Sequence, residues 1–398
     1  MTVQGNSADR WQRNNLDCSP SPYLRQHSGN PVWWQEWSSE LLSLAAEQKK
    51  PMFVSVGYST CHWCHVMAAE AFSDTETAEY LNSNFICIKV DREQRPDIDQ
   101  YLMNFIQVQT GSGGWPLNVF LTHDRKPVHA LTYAPVSSAG SRYSLLDIAK
   151  AVIEFLGSRA ESIMPFDVQD NEAPAADATG MMESLSEYFD NEYGGFGRGQ
   201  KFPPHSTLLY MLYRMSAYIS GENRVPGANT EKLTGISDGG HLLLDRGPGA
   251  ATKEPAHISN EDHSLLSGMV TTTLDAMMMR GLNDHLQGGI FRYCVDREWT
   301  IPHFEKMLYD QAMALWTYSL AYRVTGANRY RIMAESIIRC LHETFAADGF
   351  YVSAFNADTD HMEGATYLWS MEELTALLTP EEMNRFRDVY DISESGNF

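Results

Sequence analysis

The feature that most constrains how this chain can fold is Cys61-His62-Trp63-Cys64, two thiols three apart, closely following the apolar run Met52-Phe53-Val54-Ser55-Val56. A strand that runs into C-x-x-C and then a helix is the layout of a thiol-redox site. Unpaired backbone N–H groups and the dipole at a helix N-terminus favour a thiolate there. Cys61 occupies that position and is the expected nucleophile, while the spacing brings Cys64 within contact range as the resolving thiol. His62, when protonated, favours the thiolate, and Trp63 offers a shield or a substrate contact. The same residues admit three other readings. C-x-x-C-H is also a c-type haem attachment signature, Cys61, Cys64 and His65 can begin a zinc site, and the pair can be structural and unreactive. No second C-x-x-C or His-x-x-x-His supplies further zinc ligands, so neither metal nor cofactor is expected.

The flanking residues extend the redox pattern. Ser39 offers an N-cap for a helix through Leu41, Leu42, Leu44 and Ala45, which Lys49-Lys50-Pro51 ends. Ser73-Asp74 caps a second helix running to Leu81, Phe85 to Val90 is a β-branched run suited to a buried parallel strand, and Pro96 to Gln109 forms a crossover helix. Leu117 to Leu121 with Val128 to Tyr133 reads as a hairpin. This β-α-β-α-β-β order with a C-x-x-C after the first strand is the thioredoxin pattern. Just before the hairpin, Gly111-Ser112-Gly113-Gly114-Trp115-Pro116 predicts a cis Trp115–Pro116 bond within reach of Cys61, with Pro116 and Trp115 holding an extended substrate. Asp91, at a strand's C-terminal end, is the candidate to relay a proton to Cys64; the competing reading of Asp91-Arg92-Glu93 and Arg95-Pro96-Asp97 is an ion-paired turn capping the next helix. Upstream, Trp33, Trp34 and Trp37 need apolar surface to cover, which predicts an ordered arm from Ser19 to Trp37.

At 398 residues the chain exceeds one ordinary domain of roughly 100 to 200 residues. The expected division is an N-terminal tail at 1–19, a thioredoxin-like domain at 20–165, a linker at 166–177 and an all-α domain at 178–398. Helices are predicted at 180–191, 206–219, 262–282, 303–324, 328–346 and 371–389, with an insertion at 221–255. Between them recur Tyr193-Gly194-Gly195-Phe196, Gly288-Gly289-Ile290-Phe291 and Asp348-Gly349-Phe350-Tyr351, the mark of a toroid or solenoid of helix pairs. His303, Glu305 and Asp310 are the candidate polar set there, with positions 303 and 310 two turns apart on one predicted helix face; a histidine with carboxylates suits acid–base work on a sugar. A net charge of −21 argues against nucleic-acid and anionic-membrane partners, which need basic faces. Met1 to Asn15 lacks an apolar signal core, and no window approaches the ~18 apolar residues of a membrane span, so a cytoplasmic location is expected.

Several runs together resemble the spermatogenesis-associated protein 20 (YyaL-like) family. They are Ser21-Pro22-Tyr23-Leu24, Gln26-His27, Asn30-Pro31-Val32, Gly57 to Met67 around the cysteines, Lys89-Val90-Asp91-Arg92-Glu93, Gly111 to Leu117, Lys201-Phe202-Pro203 and Pro302 to Asp310. The resemblance implies a thioredoxin-like domain followed by an (α/α)6 toroid similar to sugar epimerases and six-hairpin glycosidases. This chain departs from the family in reading Gly289-Ile290-Phe291-Arg292-Tyr293 and Phe355-Asn356-Ala357-Asp358 in its central loops, and in stopping after about three of six hairpins. A half-built toroid predicts exposed apolar faces on the last helices and self-association through them. The expected function is thiol–disulfide exchange or redox sensing on protein thiols or disulfides; the alternative is a carbohydrate-processing or carbohydrate-binding protein with the thioredoxin-like part as scaffold.

Overall fold

The computed structural model describes residues 9–138, 140, 142–159, 162–166, 178–219, 233–236, 242–244, 259–359, 362–390 and 392–394. Its contacts divide the chain into two compact units, Met1–Glu172 and Ala173–Phe398. Apart from Phe166 and two short strands (Leu233–Ile236, Leu242–Leu244), the expected linker at 166–177 and insertion at 221–255 lie outside the described residues.

The first unit is built on one five-stranded sheet. Its elements in chain order are α1 (Pro22–Gln26), β1 (Gln35–Glu36), α2 (Ser39–Gln48), β2 (Met52–Gly57), α3 (His62–Ala69), α4 (Thr75–Asn84), β3 (Ile86–Asp91), α5 (Pro96–Thr110), β4 (Leu117–Leu121), β5 (Pro127–Leu131) and α6 (Leu145–Arg159). The strand order is β1-β3-β2-β4-β5, with β1 and β2 parallel to β3, and β4 antiparallel to both β2 and β5. This is the thioredoxin-like arrangement the sequence predicts. Local chemistry sets the boundaries: Ser38 and Asp74 cap α2 and α4 through their side chains, Pro96 opens α5, and Gly111 closes it at φ +78°.

Strand alternation splits the sheet into two different faces. On one, Met52, Val54, Val56, Ile88 and Val90 join Ile98 and Leu102 of α5 in an apolar core. On the other, the register places Ser55 beside Lys89 and Asn118, and Gly57 beside Asp91, all buried. Lys89 Nζ donates to Ser55 Oγ at 2.9 Å and lies 4.4, 5.0 and 5.5 Å from the ring centres of Phe72, Trp34 and Tyr23. Burial pushes its pKa well down. The arm before β1 covers this face, with Tyr23 and Trp34 fully buried.

The second unit contains α7 (Ala178–Tyr188), α8 (His205–Ile219), α9 (Asn260–Met279), α10 (Leu308–Thr325), α11 (Asn328–Cys340), α12 (Met371–Leu377) and α13 (Pro380–Val389). Two expectations need correction. Residues 303–307 are not helical: Pro302–His303 pairs with Tyr293–Cys294, Lys306–Met307 pairs with Ala354–Phe355, and α10 begins only at Leu308. His303 and Asp310 therefore do not share a helix face. The helix expected at 371–389 is two helices, because Thr379 forms a capping box with Glu382 and Pro380 opens a new first turn. Leu377 and Val389 on these last helices are exposed.

The recurring glycine loops are one structure used twice. In the first, Asp190 N donates to Gly195 O and Gly194 N to Asp190 O, and the buried Lys201 Nζ donates to Asp190 Oδ2 at 2.9 Å and Gly197 O at 2.6 Å. In the second, Asp284 N donates to Gly289 O and Gly288 N to Asp284 O, and Lys306 Nζ donates to Asp284 Oδ2 at 2.6 Å and Gly288 O at 3.1 Å. The paired glycines sit at φ +73° to +83°, where a Cβ is strained. Removing one partner of a buried ion pair strands the other charge, so Lys306→Met is expected to destabilise this unit by roughly 3–5 kcal/mol, measured by denaturant unfolding followed by circular dichroism.

Candidate functional site

The last β2 residue, Gly57, passes through Tyr58 to Thr60 into α3, and Cys61 is the N-cap of that helix. Cys61 Sγ accepts from Cys64 N at 3.2 Å, an N–H that the Cys61 carbonyl shares at 3.1 Å in the first turn. Cys61 and Cys64 form a disulfide with Cα atoms 5.2 Å apart. Both cysteines are buried, Cys61 with 3% of its surface exposed and Cys64 with none. His65 Nε2 is fixed 2.9 Å from Ser59 O, so that nitrogen carries the proton and donates. Trp63 is 49% exposed beside the pair, 5.3 Å from the Tyr133 ring and 5.5 Å from that of His62.

Two of the other expected residues meet the turn before this helix: the Trp115 ring lies 5.8 Å from that of Tyr58, and Asp91 pairs with Gly57. Trp115–Pro116 is cis, as the sequence predicts. Trp115 is pinned: its Nε1 donates to Asp99 Oδ1 at 2.7 Å, and the Arg92 guanidinium lies 3.9 Å over its ring. Burial raises the Asp99 pKa, with the Trp115 hydrogen bond and the Arg92 charge working the other way. Asp91, opposite Gly57, accepts from Ser21 Oγ at 2.6 Å on one oxygen and from Glu93 N at 2.9 Å on the other. The carboxylate thus ties the N-terminal arm to the sheet and also shapes the following turn.

In the second unit the structure gathers a different set. His303 Nδ1 lies 2.6 Å from Glu363 Oε1, and its Nε2 lies 3.6 Å from Glu305 Oε2. Arg292 Nη1 bridges both oxygens of Asp310 at 3.0 Å, and its backbone N–H donates to Glu305 O. Phe202 stacks on Tyr293 with centres 4.5 Å apart, and Tyr293 faces His303 at 5.0 Å. Burial works against a charge on His303, but Glu305 and Glu363 outweigh it and hold its pKa at about 9. Sequence reading missed Glu363 and Arg292 as members of this cluster. Glu363 is 60 positions away from His303 and carries no local signal, whereas Arg292 lay in a central loop already noted as altered.

Among the described residues no group of three or more His, Cys, Asp and Glu is placed to hold a metal ion. Nor is any described helix long and apolar enough to cross a membrane. Sheet order and the Cys61 helix start define a thioredoxin-like domain, followed by a helical domain. Residues 13–171 match the Thioredox_DsbH family, described as "Protein of unknown function, DUF255". Nearly the whole chain is similar to spermatogenesis-associated protein 20: it is 35% identical to the Mus musculus protein over 422 residues, 96% of this chain and 48% of that one. The chain thus spans about half the length of that relative. Among solved structures, "DsbH Oxidoreductase" is 19% identical over 32% of this chain and 86% of that one, with a TM-score of 0.24. A sugar epimerase from a ruminal bacterium is 15% identical over 44% and 37%, with a TM-score of 0.28. Both structural likenesses are too slight to carry a functional argument.

His303 also predicts a pH response. Its folded pKa, about 9, exceeds the ~6.5 of an unfolded histidine, so its ion pairs contribute fully below that lower value and are lost as pH rises through the higher one. The second unit is expected to lose thermal stability between those limits, and His303→Gln to flatten the dependence, as read from melting temperature against pH.

Proposed function

We propose that the first unit is a thiol–disulfide oxidoreductase acting on protein thiols or disulfides through Cys61 and Cys64. The observation that carries this reading is a disulfide set at a helix start, with Cys61 as the N-cap and Cys64 in the first turn. Cys64 is wholly buried and Cys61 keeps the little exposure there is, so in this reading an incoming thiolate attacks the Cys61 sulfur and Cys64 leaves. In the reverse direction, Cys61 as a thiolate attacks a substrate disulfide, stabilised by the Cys64 N–H and the helix dipole, and Cys64 then resolves the mixed disulfide. Exposed Trp63 supplies the flat apolar contact next to the attacked bond, and Trp115, whose ring meets that of Tyr58, and the cis Pro116 are the proposed holders of an extended substrate. Asp91 remains the proposed proton relay. The cytoplasm is the proposed compartment, supported by Cys87, Cys294 and Cys340 being buried free thiols.

A second reading concerns the helical unit alone. His303 between Glu305 and Glu363, near the Phe202–Tyr293 stack, is an arrangement suited to binding or processing a sugar, with Arg292 and Asp310 bordering it. The twice-used glycine loop supports part of an (α/α)6 toroid, and exposed Leu377 and Val389 support self-association. Saccharide-induced thermal stabilisation that disappears in Glu305→Gln would favour this reading.

For the redox reading, the wild-type protein is expected to cycle between disulfide and dithiol with dithiothreitol and oxidised glutathione, and Cys61→Ser to abolish the two-electron couple. Thiol labelling and mass measurement read both. A wild-type pair that stays in one state under both reagents sinks the reading.

A further inference from the structure

The arm Ser21-Pro22-Tyr23 through Asn30 has no part in the exchange described above, yet it reaches the back of the disulfide. Tyr23 is fully buried, and its hydroxyl has no hydrogen-bond partner among the described residues. A buried hydroxyl left unpaired is costly. This one faces Gly57. A side-chain carbon there would overlap the Tyr23 hydroxyl and come within 2.7 Å of Cys64 Sγ. The missing side chain is what lets the hydroxyl and the inner sulfur occupy one space.

Neighbouring polar side chains donate to other partners. Lys89 Nζ donates to Ser55, Ser21 Oγ to Asp91, and Asn118 Nδ2 to Met67 Sδ and Thr132 O. His27 packs edge-on between Tyr23 and Phe72, with Nδ1 held by Asn30. Cys64 has no solvent exposure, so water cannot solvate a charge that forms on it.

We propose that Tyr23 is the hydrogen-bond donor for the Cys64 sulfur in the reduced state, which makes the N-terminal arm part of the redox site. The inference rests on the thiol–disulfide reading above. When a substrate thiolate attacks Cys61 Sγ, a substrate–Cys61 disulfide forms, the Cys61–Cys64 bond breaks, and its electron pair leaves with Cys64 as thiolate. The second thiolate of the substrate dithiol then attacks the substrate sulfur, releases Cys61 and leaves the substrate oxidised by two electrons. The two protons of the dithiol pass to solvent or to the freed cysteines. Tyr23 keeps its own proton and donates a hydrogen bond. In the oxidised form the same hydroxyl is left waiting, because a sulfur shared in a disulfide is a poor acceptor.

The test compares wild type with Tyr23→Phe, which keeps the ring and removes only the oxygen. Both are equilibrated in glutathione buffers of graded ratio and read by thiol labelling. The variant is expected to be about tenfold harder to reduce, equivalent to about 30 mV for a two-electron couple. The oxidised variant should melt no lower than wild type, since only an unpaired hydroxyl is lost. A structural role for Tyr23 would lower that melting point and leave the potential unmoved. An equilibrium within twofold of wild type overturns the proposal. A wild-type pair that no glutathione ratio reduces overturns the oxidoreductase reading as well, which separates the two failures. Independently of any variant, the Raman tyrosine doublet should move toward the hydrogen-bond donor pattern on reducing the wild-type protein; an unchanged doublet counts against it.

Discussion

The first unit depends on how its N-terminal arm closes over the polar face of β2 and β3. Lys89 and Asp91 sit in the middle of a sheet, where an ionisable side chain is costly unless its surroundings satisfy it. Ser55 and the rings of Phe72, Trp34 and Tyr23 surround the amine; Ser21 and the Glu93 N–H hold the carboxylate. Without the arm these groups would lie open beneath α3. Placing the arm sets Tyr23, placing Tyr23 fills the space over Gly57, and that space borders Cys64. The disulfide is therefore supported from behind by a segment far from it in sequence.

The second unit rests on a different kind of buried charge. Lys201 and Lys306 each cross-link an aspartate and a glycine carbonyl, fixing loops whose backbone already occupies the left-handed region. Buried pairs of this sort contribute little net stability and hold a geometry. Arg297 adds a second cation to Asp190, bonding both carboxylate oxygens, and holds its pKa well below the usual range against the cost of burial.

Sequence legibility followed the range of the interactions. C-x-x-C after an apolar run and the β-branched stretch near Ile86–Val90 gave strands, helix start and sheet order, because those signals lie within a few residues of what they specify. Residues 303–307 are not helix because strand pairing of Pro302–His303 with Tyr293–Cys294 and of Lys306–Met307 with Ala354–Phe355 overrides their local spacing. The break before α13 is legible in the sequence, since Thr379, Pro380 and Glu382 form a start signal within four residues. Tyr23 and Glu363 had no chance of being assigned: each acquires its neighbour only through the fold.

The paired loops differ in one respect. Aspartate and lysine are 11 positions apart in the first and 22 in the second, yet the bond between them is the same. Within the longer interval lie Arg292, Tyr293, His303 and Glu305. An ion pair that tolerates such a difference acts as a clasp around a variable insert. Chain can be added between its two ends, and new side chains tried out there, while the helices on either side remain undisturbed. Where a repeated scaffold is to diversify, fixing the ends of a loop so firmly gives its middle the freedom to change.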